Sequence, residues 1–527
     1  MGFTGFAEAP SFPRSGGLYD RPLEGENGVT IEVPANSTVR YTTDGSDPTE
    51  SSPIYTGPIE VEKTTVIRAR AYREGVEPSQ VVSQTYLISV YHTMPVICLT
   101  TDNDNLWNEE TGMFADGPNI DREATNPPWK SATYWQKNWF GGWIEYYDES
   151  GVQQLSQGMD FRVMGNYSLD MPQKSLYIKA DGQYGVDSFN YPLFEDREFT
   201  EYAGFVLRNG GQDGLYTRVI DGMQARIIDQ SGSSVAAQAW KPVIVYINGQ
   251  YWGHYNMRER AGVDMVAQHE GWDNPDDIDM LESDGLSSSQ VVQGSRSDYV
   301  ELYNYVKAHD LAADQEAYEY VCSQIDIDNM IDYFIFESFF GNTDPGNIRF
   351  YRNTASGDGK WRYLFYDSDW GFFNVLTGKS MSGGIAFVLD DGGMGHANIV
   401  SNIFIRKLIK VPEIQDKFLT RYGELFQTVF TTEYLTNLFN QMITQIKPEM
   451  QMHMQRWAAE VDPKISFDQP KNAEGGYNYW VTRCERMLTR IFPRRPYYIW
   501  QEAKSYFNLT DEQMIAYFGP CPANPDE

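Results

Sequence analysis

Two short loops on either side of a predicted strand hairpin hold the side chains best suited to chemistry. The first loop, GNTDPGN, contains Asp344 and Asn347, and the second, YDSDW, contains Asp367 and Asp369. Phosphoryl transfer needs a carboxylate that orients or accepts the proton of the attacking hydroxyl, and oxygen ligands for magnesium ions that bridge the phosphates. The two loops supply this inventory. By spacing alone, they also fit a tight turn and a helix cap.

A helix and two strands are predicted to position these loops. The segment IDIDNMIDYFIFESFFG has apolar residues at helical spacing and ends at Gly341, a residue that can adopt positive φ. The runs IRFYRN and KWRYLFYD predict two strands joined by the turn ASGDG. Two acids that flank one hairpin among many apolar neighbours are costly to bury unless a metal or a cation pairs with them.

The chain is too long for a single core, since it has 527 residues of which 41% are hydrophobic. Short β-rich runs alternate with turn clusters up to about residue 90, and strand-like runs resume before a hairpin at Asn248-Gly249. Helical patterns dominate beyond Arg260. We therefore predict a multidomain protein with an all-β sandwich over 1–90, a β-rich region over 91–262 and a mainly helical region over 263–527.

Composition excludes several classes of partner. A formal net charge of -31 repels nucleic-acid phosphates, so we expect no nucleic-acid partner. No run of roughly 18 apolar residues predicts a transmembrane span. The four cysteines are far apart and lack the spacing of zinc ligands, which favours free thiols.

The N-terminal region resembles a known module. The segments YTTDGSDPTESSPIY and TTVIRARAYREGVEPSQVVSQTY are similar to the immunoglobulin-like module at the C-terminus of chitobiases and hexosaminidases, over about residues 7–88. Because that module belongs to exported proteins, the resemblance implies a secreted or cell-surface bacterial protein whose export signal is absent from this sequence. A cell-surface glycan is an alternative partner on the same grounds.

The rest of the chain resembles the spore-coat CotH kinase family. The matching blocks are GNTDPGN with the aromatic-flanked DSDW, FRVMGNYSLDMPQKSLYIKA, LRNGGQDG with RVIDGMQARI, and VYINGQYWGHYNMRER. They align in order over about residues 95–505. This resemblance implies an atypical α+β protein-kinase-like domain of two lobes that binds ATP between them.

The resemblance also implies roles for the acidic loops. Asp344 takes the place of the catalytic carboxylate and Asn347 that of a metal-side amide. Asp367 takes the place of the principal magnesium ligand, with Asp369 as the competing candidate.

Further roles concern the phosphates of ATP. By resemblance, Lys174 contacts the phosphates and Glu259 holds that lysine, since an ammonium stays oriented when a carboxylate pairs with it. Arg162, Arg208 and Arg258 are additional predicted phosphate contacts. The chain departs from protein kinases in having no GxGxxG loop before Lys174, so the turn 165–168, GNYS, would have to cradle the phosphates.

The implied activity is transfer of the ATP γ-phosphate to a protein hydroxyl with Mg²⁺, for which Mn²⁺ is a possible substitute. An acidic surface favours substrate segments that are basic. Two alternatives stay open: a non-catalytic kinase-like scaffold that binds a protein or a glycan, and, third, a glycoside hydrolase, which needs two suitably spaced carboxylates.

Overall fold

The computed structural model describes residues 5–342, 344, 347–372, 384–390, 402–466 and 469–526. The chain divides into two compact units. The first unit contains residues 1–209, 241–258 and 444–479, and the second contains residues 210–240, 259–443 and 480–527.

The described residues form strands along most of the first half of the chain and in part of the second. In chain order they are β1 (Gly17–Tyr19), β2 (Thr38–Thr42), β3 (Thr65–Tyr72), β4 (Val82–Ile88), β5 (Val96–Thr100), β6 (Phe140–Tyr147), β7 (Gln153–Met164), β8 (Ser175–Lys179), β9 (Phe189–Asn190), β10 (Glu201–Tyr202), β11 (Gly204–Arg208), β12 (Ala236–Ala237), β13 (Trp240–Ile247), β14 (Gln250–Glu259), β15 (Ile278–Glu282), β16 (Val291–Gln293), β17 (Arg349–Asn353) and β18 (Arg362–Phe365).

Most of the α-helices lie in the second half of the chain. Those in the described residues are α1 (Asn103–Trp107), α2 (Ile220–Gln230), α3 (Val263–Glu270), α4 (Ser297–Ala308), α5 (Gln315–Gln324), α6 (Ile327–Phe340), α7 (Gly384–Leu389), α8 (Ile403–Leu408), α9 (Pro412–Gln427), α10 (Thr432–Ile446), α11 (Met450–Trp457), α12 (Ala473–Arg486), α13 (Arg495–Tyr506) and α14 (Asp511–Phe518).

The N-terminal module of the first unit is built on one four-stranded sheet of order β1-β4-β3-β2. Its core includes Val39, Ile67 and Ala69, which are buried on the inner face. The opposite layer is made of isolated bridges, such as those between residues 23 and 61 and between residues 29 and 59. The predicted strand-rich module is present, with one regular sheet and one irregular layer.

A closed barrel of seven strands follows in the same unit, in the order β11-β14-β13-β5-β6-β7-β8. The predicted hairpin joins β13 to β14, and Asn248 and Gly249 have φ of 48° and 72°, as a type I′ turn requires. Closure depends on β13 pairing in parallel with β5, so that Ile244 lies opposite Val96. We did not predict this barrel, because that pairing joins strands about 150 residues apart in the sequence.

A segment from late in the chain completes the first unit. Glu449 accepts hydrogen bonds from the backbone N–H of Thr93 at 2.9 Å and bonds His92 at 3.1 Å. The Trp457 indole donates to the carbonyl of Trp252 at 2.8 Å. These buried contacts place residues 444–479 with the barrel, so the compact units differ from the sequential boundaries at residues 90 and 262.

The second unit combines helices with a five-stranded sheet of order β12-β18-β17-β15-β16. Helix α6 is almost entirely buried and contacts β18. The Asp326 side chain caps its first turn, and Gly341 ends it with φ of 61°. This helix end and the β17–β18 hairpin, both predicted, set the positions of the two acidic loops.

The described residues thus confirm a multidomain chain with a strand-rich N-terminal part and a helical C-terminal part. The part of the chain that the structure describes includes no helix long and apolar enough to cross a membrane.

Candidate active site

The first acidic loop begins directly after α6 and is anchored by a buried asparagine. Asn342 is 1% exposed, and its Oδ1 accepts the backbone N–H of Asp344 at 3.1 Å. Asn347 donates from Nδ2 to Asp344 Oδ2 at 3.1 Å. Asp344 is partly exposed, so its carboxylate is held from one side and reachable from the other.

Glu337, in the last turn of α6, lies beneath this loop. Burial raises the pKa of Glu337 to about 7, and the charge of Asp344 raises that pKa further. The nearby polar side chains of Tyr333 and Asn342 oppose the rise. A buried carboxyl group therefore contacts the asparagine that anchors Asp344.

The second acidic loop follows β18 and is fixed to helix α2 through Ser368. The backbone N–H and the hydroxyl of Ser368 both donate to Asp221 Oδ1 at 3.1 Å. Gln224 donates from Nε2 to the carbonyl of Ser368 at 2.8 Å. Since Ser368 lies between Asp367 and Asp369, these bonds position both acids.

The two acids of this loop have different environments. Asp367 is partly exposed and has a left-handed φ of 55°, which side chains other than glycine adopt mainly at turns and functional sites. Asp369 is 7% exposed and accepts the backbone N–H of Gln212 at 3.0 Å. The exposed acid is better placed to bind a ligand, and the buried acid helps to hold the loop.

Sequence reasoning missed the role of α2. Asp221 and Gln224 are three residues apart in RVIDGMQARI, which puts both on one helix face. A Cβ atom at Gly371 would lie 2.3 Å from the Gln224 amide, so a side chain there would displace that amide. The spacing of Asp221 and Gln224 on one helix face was the available signal.

Tyr366 directly precedes Asp367, and the charges of both acidic loops affect its pKa. Burial raises the pKa of Tyr366, and the charges of Asp367 and Asp344 raise it further, while Arg349 lowers it. The Arg349 guanidinium lies 4.5 Å from the centre of the ring. Asp344 and Asp367 therefore both lie near enough to Tyr366 to affect its pKa.

The oxygen atoms of these loops suit Mg²⁺ that is bound together with substrate phosphates. Those that the structure describes do not form a metal site made of protein ligands alone. In the described ranges no three His, Cys, Asp or Glu side chains form a group that could hold a metal. Mg²⁺ is commonly held by one or two carboxylates together with substrate phosphates and water. Asp367 and Asn347 supply oxygen atoms of this kind, and both are partly exposed.

A pocket opens beside Asp369, with about 360 Å³ of empty space that includes open solvent. Its walls include Asp213, Tyr216, Phe372 and Arg483. Burial raises the pKa of Asp213 to about 6, against hydrogen bonds from Thr217 and the backbone of residue 220. Phe372 also packs against Phe339 and Phe340, which joins the pocket wall to the core under the first loop.

Lys174 has a structural role in the first unit. It is 5% exposed, and its Nζ donates to the carbonyls of Leu169 at 2.7 Å and Met171 at 3.3 Å. The same Nζ lies 3.7 Å from the centre of the Tyr134 ring. Burial lowers the pKa of Lys174 to about 8. Its contact with phosphates stays a prediction.

The other predicted phosphate contacts are distributed over both units. Arg162, Arg208 and Arg258 lie on β7, β11 and β14 of the barrel. Glu259, which belongs to the second unit, accepts the backbone N–H of residue 239 at 2.8 Å and bonds His269 at 3.0 Å. The pairing of Glu259 with Lys174 stays a prediction.

Comparison with protein families agrees with these features. The family described as CotH kinase protein matches residues 161–491, and the chain belongs to this family. A second family, Fn3 associated, matches residues 29–86 in the N-terminal module. Both resemblances drawn from the sequence are thereby confirmed. No curated protein matches the chain.

Proposed function

We propose that this protein is an atypical protein kinase that transfers the γ-phosphate of ATP to a protein hydroxyl with the help of Mg²⁺. The observation that carries the proposal is the placement of Asp344, Asn347 and Asp367 in two loops on either side of one hairpin, with Asn347 hydrogen-bonded to Asp344. Membership of a kinase family supports ATP as the donor. The two-lobed kinase-like fold is part of the same proposal.

Each acidic side chain has one task in this reaction. Asp344 accepts the proton of the attacking hydroxyl with the carboxylate that Asn347 orients. Asp367 and Asn347 are the magnesium ligands, and the ion supplies charge stabilisation to the phosphates when bound. Asp369 keeps the loop in place through the backbone of Gln212.

We infer the class of substrate from the net charge of the chain, and the cellular location from the N-terminal module. A net charge of -31 favours basic segments around the accepted hydroxyl, because long-range attraction raises the encounter rate. The Fn3-associated module supports action outside the cell or at its surface, where it would present the kinase domain to a surface protein.

Magnesium-dependent binding of ATP tests the proposal. We expect calorimetric titration of the wild-type protein to show ATP binding that weakens at least about tenfold when Mg²⁺ is removed by a chelator. Asp367→Asn should lose this magnesium dependence. The control is Asp358→Asn, which changes an acid in the turn of the same hairpin that pairs with Arg362 at 2.9 Å.

The outcomes separate the proposal from its alternatives. A wild-type protein that binds no ATP, with or without Mg²⁺, would be a scaffold and not a kinase. Equal magnesium dependence in Asp367→Asn and the wild type would remove Asp367 from the metal site.

A further inference from the structure

Trp107, at the end of α1, is exposed on the surface of the first unit although it belongs to a cluster of aromatic rings. The residue is 51% exposed. Its ring centre lies 5.6 Å from that of Phe114 and 6.1 Å from that of Trp252, and Phe114 stacks on buried Trp252 at 5.3 Å. Single exposed apolar side chains are ordinary on protein surfaces, but a tryptophan held against two further rings presents a fixed aromatic face.

The segment around Trp107 is strongly acidic. Residues 102–121 include six Asp or Glu and no Lys or Arg. Asp104 precedes Trp107 by three residues on α1, which puts both side chains on one helix face, and Glu109 and Glu110 follow in a turn. These three acids are exposed, and no described Lys, Arg or His forms an ion pair with any of them. The aromatic face is therefore bordered by negative charge that is not neutralised.

The inner rings of the cluster are held in place by a paired cation. The Arg456 guanidinium lies 4.8 Å from the centre of the Trp252 ring and 3.8 Å from that of Trp457, and it forms an ion pair with Glu460. The buried indole N–H of Trp252 has no acceptor among the described residues. A buried donor without an acceptor is unfavourable, and a carbonyl oxygen of a bound segment would supply one.

We propose that the face formed by Trp107 and Phe114 is a docking surface for a basic segment of a partner protein. A Lys ammonium or an Arg guanidinium is attracted to the face of an exposed aromatic ring, and the neighbouring carboxylates attract the same group. Trp107 is also a residue type that commonly contributes a large share of binding energy at protein interfaces.

This docking surface goes beyond the proposed reaction. It belongs to the first unit, whereas the two acidic loops belong to the second. Trp107, Phe114 and the three acids lie between the segments 29–86 and 161–491 that the two families match, so family membership does not assign them.

Binding of labelled hexalysine, measured by fluorescence anisotropy at low ionic strength and without nucleotide, tests the docking surface. We expect the double variant Glu109→Gln/Glu110→Gln to weaken binding about fivefold or more, because two unpaired carboxylates beside the ring are lost. The matched control is Glu60→Gln/Glu62→Gln, which removes the same charge from exposed positions of the N-terminal module in the same unit. The control should change the affinity by less than about twofold.

Substitution of Trp107 separates attraction to the ring from attraction to charge alone. Trp107→Leu keeps an apolar side chain and should weaken hexalysine binding about threefold, whereas Trp107→Phe keeps an aromatic ring and should stay within about twofold of the wild type. The control is Trp139→Leu, because Trp139 is 41% exposed on the same unit but has the Arg162 guanidinium 4.6 Å from its ring centre. That variant should bind hexalysine as the wild type does.

The outcomes decide between this surface and simpler explanations. Equal weakening by the two double variants, or equal binding by Trp107→Leu and the wild type, would show that hexalysine follows the net charge of the chain and would overturn the proposal. Binding of neutral chitohexaose through Trp107, with no effect of Trp107→Leu on hexalysine, would make the face a sugar-binding surface instead. No ATP is present in these measurements, so their failure leaves the proposed phosphoryl transfer untouched.

Discussion

At the scale of single residues, the position of Asp344 depends on a short series of buried contacts. Tyr333 and Asn342 lie close to the buried carboxyl group of Glu337, and Asn342 accepts the N–H of Asp344. Removal of one partner leaves a buried polar group unsatisfied, which costs about 1–3 kcal/mol. The Asp344 carboxylate, which we propose accepts the proton, would then lose its fixed position.

Asn342→Ala tests this series. We expect the rate of phosphoryl transfer to fall about tenfold or more with little change in ATP affinity, because the loop is displaced while the metal side is intact. Asn353→Ala is the control, since buried Asn353 accepts the N–H groups of Ala355 at 2.8 Å and Ser356 at 2.6 Å in the same hairpin. Both variants should lose similar stability in denaturant titrations, and equal transfer rates in the two would contradict the positioning role.

Sequence reasoning singled out the acidic residues of the two loops, but not the residues that hydrogen-bond to those loops. Asp344 and Asp367 were singled out because they flank a predicted hairpin and because the segments around them resemble the CotH family, and their roles stay predictions. Asp221, on a helix more than 140 residues upstream in the sequence, accepts the hydrogen bond that holds the loop of Asp367. No local sequence pattern indicates a contact between such distant segments.

At the scale of elements, a buried glutamate joins the N-terminal module to the barrel. Glu145 on β6 accepts hydrogen bonds from the N–H of Thr85 on β4 at 3.0 Å and from its hydroxyl at 2.6 Å. Complete burial raises the pKa of Glu145 to about 7 from an ordinary value of 4.5. The folded state therefore binds the Glu145 proton more tightly than the unfolded state does.

Glu145→Gln should change how stability depends on pH. Because the folded pKa is raised, the contribution of Glu145 to stability is greatest below about pH 4.5 and falls by up to about 3 kcal/mol as pH rises to about 7. The substitution should flatten this part of the profile in denaturant titrations. Glu149→Gln, which changes an exposed glutamate just after β6, should keep the wild-type profile. An unchanged slope in Glu145→Gln would show that the group does not titrate in this range.

Local elements were largely predictable and their assembly was not. Helix α6 and the β17–β18 hairpin follow from apolar periodicity and turn residues. Closure of the barrel needs β5 to pair with β13, and most of the strand-rich region separates these two strands in the sequence. Hydrophobic periodicity cannot indicate such a pairing. The five-stranded sheet of the second unit likewise takes β12 from far upstream of β18.

At the scale of the whole molecule, the two compact units contain different sets of the predicted site residues. The second unit contains Asp344, Asn347, Asp367 and Asp369, and the barrel unit contains the basic residues at 162, 208 and 258. The acidic remainder of the surface repels free nucleotides at long range, so local cations are needed to retain a polyphosphate. Oxygen ligands and cations are both required for phosphoryl transfer from ATP.

Transfer of label from ATP marked on its γ-phosphate tests the central claim most directly. Wild-type protein with Mg²⁺ should label itself or a basic acceptor protein. Asp344→Asn should bind ATP with Mg²⁺ as the wild type does and transfer label at least about 100-fold more slowly, because the proton acceptor is missing. No transfer by a wild-type protein that binds ATP, or equal transfer by Asp344→Asn, would contradict the account.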